Sequence, residues 1–278
     1  MNLHATVPRL DEAVAGGVDE SVHAFGDGLV GIVSQPVSAT RHATALILLN
    51  AGLVHRVGPF RGYVQLARVL ADAGFVVLRF DQPGIGDSRA PVASEGVRDN
   101  AIRAAMTLVT EQAGVSRFVL GGICSAADDA FNAADIDRRI VGLLLLDGLA
   151  YPTPGHWVRH VVPRVLDPRR VWRRLRAVLG GGRQSQGNFR DFPTRAEARR
   201  RLADLVVRDV RILFVYTGAV YHYFNHPGQL AACFGRAARE PQVSLEYWPG
   251  CDHTFYLRHD RRRLQATVLG WMREQFGH

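Results

Sequence analysis

The sequence predicts an α/β protein with a mostly parallel central sheet flanked by helices. Two observations carry that expectation. Short, nearly continuous apolar runs recur at "ATALILLNAG" (43–52), "FVVLRF" (75–80), "RFVL" (117–120) and "VGLLLL" (141–146), as strands covered on both faces require. Segments of helical period lie between them, and a strand–helix alternation needs crossover connections and hence parallel strands. At 278 residues the chain fits one large domain, or one domain carrying an insertion, with enough surface to bury a sizeable core.

In chain order, "SVHAFGDGLVGIVS" (21–34) reads as two strands around a Gly-Asp-Gly turn. The buried run 43–52 ends in small residues, and "YVQLARVLADAG" (63–74) is a helix closed by Gly74. "FVVLRF" is the next strand, the loop "DQPGIGDS" (81–88) follows it, and residues 97–113 form an amphipathic helix. "RFVL" and "VGLLLL" flank a helix that begins near Cys124. From Tyr151 to about Arg208 the alternation stops, and the segment holds Pro, Gly and the arginine-dense "DPRRVWRRLRAVLGGGR" and "RAEARRR". It reads as a helical cap inserted at 151–208 into a core made of 1–150 and 209–278. "RILFVY" (211–216) resumes the sheet, "HPGQLAACFGRAA" (226–238) supplies a helix, "VSLEYW" (243–248) is the last strand, and 260–276 is the closing helix.

Composition narrows the function. The net charge is +8, yet the chain has no lysine, so every cationic residue counted is an arginine. That usage reads as codon bias and a solvated basic face, and no nucleic-acid-binding motif accompanies it, which argues against DNA or RNA as partner. No apolar run is long enough to span a membrane, and "MNLHATVPRLDEAVAGG" carries acidic residues where a signal peptide needs an apolar centre. A cytoplasmic location is expected. The three cysteines, Cys124, Cys233 and Cys251, show no paired spacing and are expected to stay reduced.

The stretch "GGICSAADDA" (121–130) carries the chemistry. A nucleophile at a strand-to-helix elbow sits in strained backbone, and the residues two before and two after it must be small. With Cys124 at the tip those flanks are Gly122 and Ala126; with Ser125 they are Ile123 and Ala127, and the isoleucine does not fit. The steric rule selects Cys124. A thiol at a helix N-terminus meets the positive end of the helix dipole, which favours the thiolate and nucleophilic attack at neutral pH.

With "LILLNAGL", "RFDQPGIGDS", "GGICSA" and "GCDHTF" in this order, the sequence resembles the α/β-hydrolase superfamily over nearly its whole length. "GLVHRVGPFRGY" and "VLRFDQPGIGDS" are more closely similar to small hydrolases associated with exosortase systems, which also place cysteine at the elbow. The resemblance implies an α/β-hydrolase fold and makes His253, after the last strand, the base. The usual acid position after "RILFVY" is followed by "TGAVYHYFNH", which has no Asp or Glu. Asp147, ending "VGLLLLDG", is the alternative position and keeps the order nucleophile, acid, base. Asn225 as the residue orienting the imidazole, and a bare Cys-His dyad, stay open. By position, the oxyanion hole falls to the backbone N–H groups of Ser125 and Leu53, with Asn50 at the base of the same loop.

Asp81, Gly84, Gly86 and Ser88 read as loop-shaping residues, and the short Gly-x-Gly there is no dinucleotide fingerprint. Asp252 and Cys251 read as loop residues, Cys251 also being placed to approach the nucleophile. Asn50, Tyr221, Tyr223 and Phe224 are candidate walls of a substrate pocket, with Tyr256 beside them. His222 and His226 are four apart but lack a third ligand at zinc spacing, so no metal and no cofactor is expected. The activity expected is hydrolysis of an acyl ester or thioester through an acyl-cysteine. Two alternatives stand beside it: transfer of the acyl group from a carrier-protein or coenzyme A thioester to another acceptor, and a non-catalytic ligand-binding protein of this fold. An acidic acyl carrier protein would suit the cap arginines 169, 170, 173, 174 and 176.

Overall fold

The computed structural model describes residues 17–37, 41–91, 96–165 and 192–277. An eight-stranded sheet runs through it in the order β1-β2-β4-β3-β5-β6-β7-β8. These strands are β1 (Val18–Phe25), β2 (Leu29–Pro36), β3 (Thr44–Leu48), β4 (Val77–Phe80), β5 (Arg117–Ile123), β6 (Ile140–Leu146), β7 (Arg211–Thr217) and β8 (Val243–Trp248). The hairpin β1–β2 and the pair β2–β4 are antiparallel, and every later pairing is parallel. The Gly-Asp-Gly turn of the hairpin uses positive φ at Gly26 and Gly28, which a side chain would resist.

Alternation along each parallel strand divides the core into two layers, because successive side chains point to opposite faces. Ile47, Leu120, Leu145 and Phe214 face one layer, and Leu48, Val119, Leu144 and Leu213 face the other. The first layer is covered by α2 (Val97–Ala113), α3 (Ser125–Ala133), α5 (Arg195–Val207) and α6 (Gln229–Phe234). The second is covered by α1 (Gly62–Asp72) and α7 (Arg258–Phe276). Among the described residues no helix is long and apolar enough to cross a membrane.

The segment expected as a cap is described in two parts. α4 (Pro154–Val165) leaves the core after β6, with Trp157 and Val158 exposed. α5, by contrast, contributes Ala198, Leu202 and Leu205 to the first apolar layer, and Arg208 pairs with Asp135 at 3.0 Å. The arginines 169, 170, 173, 174 and 176 lie outside the described residues. The helix expected over 226–238 is shorter, since Gly235 at φ 79° breaks it after Phe234 and a 3₁₀ turn follows at Arg236–Arg239.

Candidate active site

The C-terminal ends of β5, β6 and β8 bring together the three side chains on which the chemistry was expected. Cys124 joins β5 directly to α3 with φ 59° and ψ −124°, a conformation an L-residue holds at a cost of order 1–3 kcal/mol. The surroundings fix it there. A Cβ on Gly122 would overlap Ala126 and come within 2.7 Å of the Leu49 carbonyl, so only glycine fits two residues before the tip. The Cys124 N–H donates to Leu146 O at 2.8 Å, which ties the elbow to the end of β6. The thiol is half-buried.

Asp147 follows β6 with φ 49° and is fully buried. Its backbone N–H donates to Val215 O at 2.8 Å. Its carboxylate accepts from Thr217 N at 2.6 Å, from Thr217 Oγ1 at 2.7 Å and from His253 Nδ1 at 2.7 Å. With Nδ1 donating there, Nε2 is left for the hydrogen bond between His253 and the Cys124 sulfur. Those two bonds, Asp147 first and Cys124 second, outweigh burial and raise the imidazole from 6.5 to about 9. At neutral pH the ring is therefore held as imidazolium, the partner that stabilises a thiolate.

The histidine loop is shaped by its neighbour. Asp252 accepts from Thr254 N at 2.8 Å, Thr254 Oγ1 at 2.6 Å and Tyr256 N at 2.9 Å, an Asx-type turn. Burial would raise this carboxyl, but those donors hold it below its ordinary value. Cys251 is buried in the second layer, and its Sγ donates to Asp252 O at 3.3 Å. Burial pushes its thiol up to about 12, so it packs as an inert thiol.

The loop after β3 faces the elbow. Ala51 O accepts from Val54 N at 2.9 Å, closing a turn with Gly52 at φ 51° and Leu53 exposed at its tip. Ser125 opens α3, so its backbone N–H is one of the donors a helix leaves without an internal acceptor. Its hydroxyl accepts from Gly52 N at 2.9 Å. Asn50 is a buried clamp and not a pocket wall: its Oδ1 accepts from Gln82 N at 3.0 Å, and Gln82 Nε2 donates to Asn50 O at 3.1 Å. Asp81 is buried as well, paired with the Arg56 guanidinium and accepting from Arg56 N at 2.6 Å and Asp87 N at 3.1 Å. Ser88 donates to Asp81 O at 2.6 Å, and a Cβ on Gly86 would collide with the Asp81 carboxylate. "DQPGIGDS" is thus a loop held by its own residues together with Asn50 and Arg56.

The aromatic group divides. Tyr223 is half-buried and its hydroxyl donates to Asp147 O at 2.9 Å, while Tyr221 donates to Arg159 O of α4 at 2.7 Å. Phe224 is fully buried, stacked on Tyr216 with ring centroids 3.9 Å apart, and walls no open pocket. Asn225 turns toward α4, accepting from Arg159 Nε at 3.0 Å and donating to His156 O at 3.2 Å. Its amide is committed there, away from the imidazole. Tyr256 is exposed and meets Phe60 edge to face at 5.2 Å.

Two residues of this region had no role in the sequence reading. Tyr63, on the apolar face of α1, accepts from Ile123 N at 2.9 Å and donates to Leu49 O at 3.1 Å, bracing the elbow against the end of β3. Nothing in its helical spacing distinguishes it from a core residue. Thr217 left a faint signal, a hydroxyl closing the apolar strand "RILFVYT".

A family model described as the alpha/beta hydrolase fold matches residues 45–226. No curated protein matches the chain. Among solved structures, an esterase of Pyrococcus furiosus superposes with a TM-score of 0.61 at 11% identity, covering 95% of this chain and 94% of that one. A hypothetical protein of Pseudomonas aeruginosa gives 0.62 at 18% identity, covering 93% and 94%. Proline iminopeptidase of Mycobacterium smegmatis gives 0.58 at 18% identity, covering 92% and 98%. At such identities the likeness is one of fold.

Proposed function

Because this chain belongs to the family with the α/β-hydrolase fold, we propose that it cleaves an acyl ester or thioester through a covalent intermediate on Cys124. The observation that carries this reading is the position of His253, hydrogen-bonded to the Asp147 carboxylate on one side and to the Cys124 sulfur on the other. The Cys124 thiolate attacks the acyl carbon, a C–S bond forms, and the carbonyl electrons move to oxygen. Backbone N–H groups of Ser125 and Leu53 receive that oxyanion. As it collapses, the His253 imidazolium gives its proton to the departing alcohol or thiol. Neutral His253 then takes a proton from water, whose oxygen attacks the acyl-cysteine; the C–S bond breaks, the acid leaves, and the Cys124 thiolate and His253 imidazolium are regenerated. Asp147 holds the ring in the Nδ1–H tautomer and stabilises its cationic form.

Cysteine at the elbow accords with the closer resemblance to exosortase-associated hydrolases. It also suits thioesters, because exchange between thiols is nearly isoenergetic, so the same intermediate could pass its acyl group to another thiol, amine or alcohol. Tyr223, beside Asp147, and Tyr221, against α4, are the proposed walls of the acyl side. The test is a panel of p-nitrophenyl esters and acyl-coenzyme A thioesters, with intact-protein mass spectrometry of the quenched reaction. Turnover together with an acyl adduct that maps to Cys124, both lost in Cys124→Ala, is the expected result. Transfer is recognised by an acylated acceptor in place of free acid. Turnover that survives Cys124→Ala removes the acyl-cysteine reading.

A further inference from the structure

Regular pairing between β3 and β5 ends at Leu48 and Gly121. Beyond it the two chains separate, one turning into α3 at Cys124 and the other into the loop 49–54. Three further ties span the widening gap. Leu49 N donates to Gly121 O at 2.8 Å, Tyr63 bridges Leu49 O and Ile123 N, and Gly52 N donates to Ser125 Oγ at 2.9 Å. The last differs from the others because it holds the tip of an exposed loop. Asn50 anchors the base of that loop to Gln82, and the Ala51–Val54 turn closes the loop on itself. The bond from Gly52 N to Ser125 Oγ ties the Gly52–Leu53 tip to the elbow.

We infer that the Ser125 hydroxyl is a positioning residue for the oxyanion hole, holding the Leu53 N–H in register with the N–H of Ser125 itself. The inference rests on the reading of Cys124 as an acyl nucleophile and deepens it. Two donors stabilise a developing oxyanion only when both are fixed before the charge appears, within about 0.5 Å of productive geometry. One of them belongs to a helix start backed by the sheet. The other sits beside Gly52, at positive φ, in a turn whose tip is solvated. Ser125 supplies its N–H to the hole and its Oγ to the loop, so both halves of the hole are referred to one residue. The sequence rule for elbows could not reveal this, since it asks only for small flanks and is silent on the residue after the tip.

Two reactions of Cys124 separate this role from a structural one. Acyl transfer passes through a tetrahedral oxyanion, whereas alkylation by iodoacetamide is a displacement at a methylene carbon and uses no oxyanion hole. Ser125→Ala should lower kcat for ester hydrolysis on the order of 10- to 100-fold with KM within about twofold, since a misplacement near 1 Å costs roughly 10²-fold. Its iodoacetamide rate at pH 7 should stay within about twofold of the parent. Ser125→Thr keeps an acceptor oxygen at the same position and should recover most of kcat. A parental kcat in Ser125→Ala overturns the inference, and so does equal loss of alkylation and hydrolysis, which would place the defect in the elbow or the imidazolium. An alanine defect that threonine does not relieve overturns it as well. Failure of the underlying reading is visible separately, as turnover by Cys124→Ala.

Discussion

Asp147 Oδ2 accepts a 2.7 Å hydrogen bond from His253 Nδ1 across 106 residues of chain. The same carboxylate is gripped by the N–H and hydroxyl of Thr217, at the end of the strand between β6 and β8. No carboxylate stands at the end of β7, but β7 still contributes by holding the carboxylate that follows β6. Among the described residues, this fully buried carboxylate accepts from Thr217 N, Thr217 Oγ1 and His253 Nδ1, which hold it from two neighbouring chain segments.

Replacing Asp147 by Asn should cut kcat/KM on the order of 10⁴-fold in a folded protein, because the amide favours the wrong imidazole tautomer and withdraws the charge that stabilises imidazolium. Thr217→Val, which removes the hydroxyl donor to Asp147, should cost less, roughly 10-fold, on the scale of one hydrogen bond to a charged group. Asn225→Ala should leave kcat near the parent value, since its amide serves α4. Steady-state kinetics on the three variants, with circular dichroism as the folding control, decides between Asp147 and Asn225.

The pH dependence follows from His253. Its folded value is raised from 6.5 to about 9, so the imidazolium is the form favoured in the native state. The stability it contributes is fully present below pH 6.5 and is lost as the pH rises through about 9. The proton needed by the leaving group is lost over the same upper range, so kcat/KM should fall on a limb near pH 9. Iodoacetamide alkylation should show no such fall. In His253→Ala the alkylation profile should move up to the ordinary thiol range near pH ~8.5, and in Asp147→Asn the falling limb should move to lower pH. A limb that stays in place in Asp147→Asn would show that another group sets it.

Tyr63→Phe keeps the ring and removes the hydroxyl, leaving Ile123 N–H and Leu49 O without that partner in a buried site. A buried polar group left unpaired costs about 1–3 kcal/mol, so the variant should lose about 2 kcal/mol of unfolding free energy. Urea denaturation with an unchanged m-value is the measurement. A parental midpoint would mean that the elbow holds without this brace.

Gly122→Ala tests the steric basis of the elbow. The added methyl meets Ala126 and the Leu49 carbonyl, both backed by a packed sheet, so the variant should lose about 1–3 kcal/mol or fail to fold. Gly114→Ala is the comparison, because nothing lies within 4 Å of its Cβ and only its positive φ, 68°, opposes the change. A larger loss at Gly114 than at Gly122 would contradict the steric account.

The sequence by itself determined the sheet's parallel strands and their burial on both faces, and it set Cys124 at the tip of the strand-to-helix turn. Each depends on rules that act over a few residues: apolar runs for strands covered on both faces, and small residues two before and two after a strained tip. Gly122 and Ala126 select Cys124 over Ser125 because the crowding they relieve is local. Only the tertiary structure decided what meets Cys124 and what holds it. Asp147 reaches His253, and Asn225 does not, because the register of β6 beside β7 sets one carboxylate under the histidine loop while the chain after β7 turns its amide to α4. Phe224 joined the core through its stacking on Tyr216, a contact that composition does not encode. The bonds from Ser125 to Gly52 and from Tyr63 to Ile123 bridge 73 and 60 residues. No periodicity or spacing specifies such pairs, since they exist only once β3, β5 and α1 have been packed side by side.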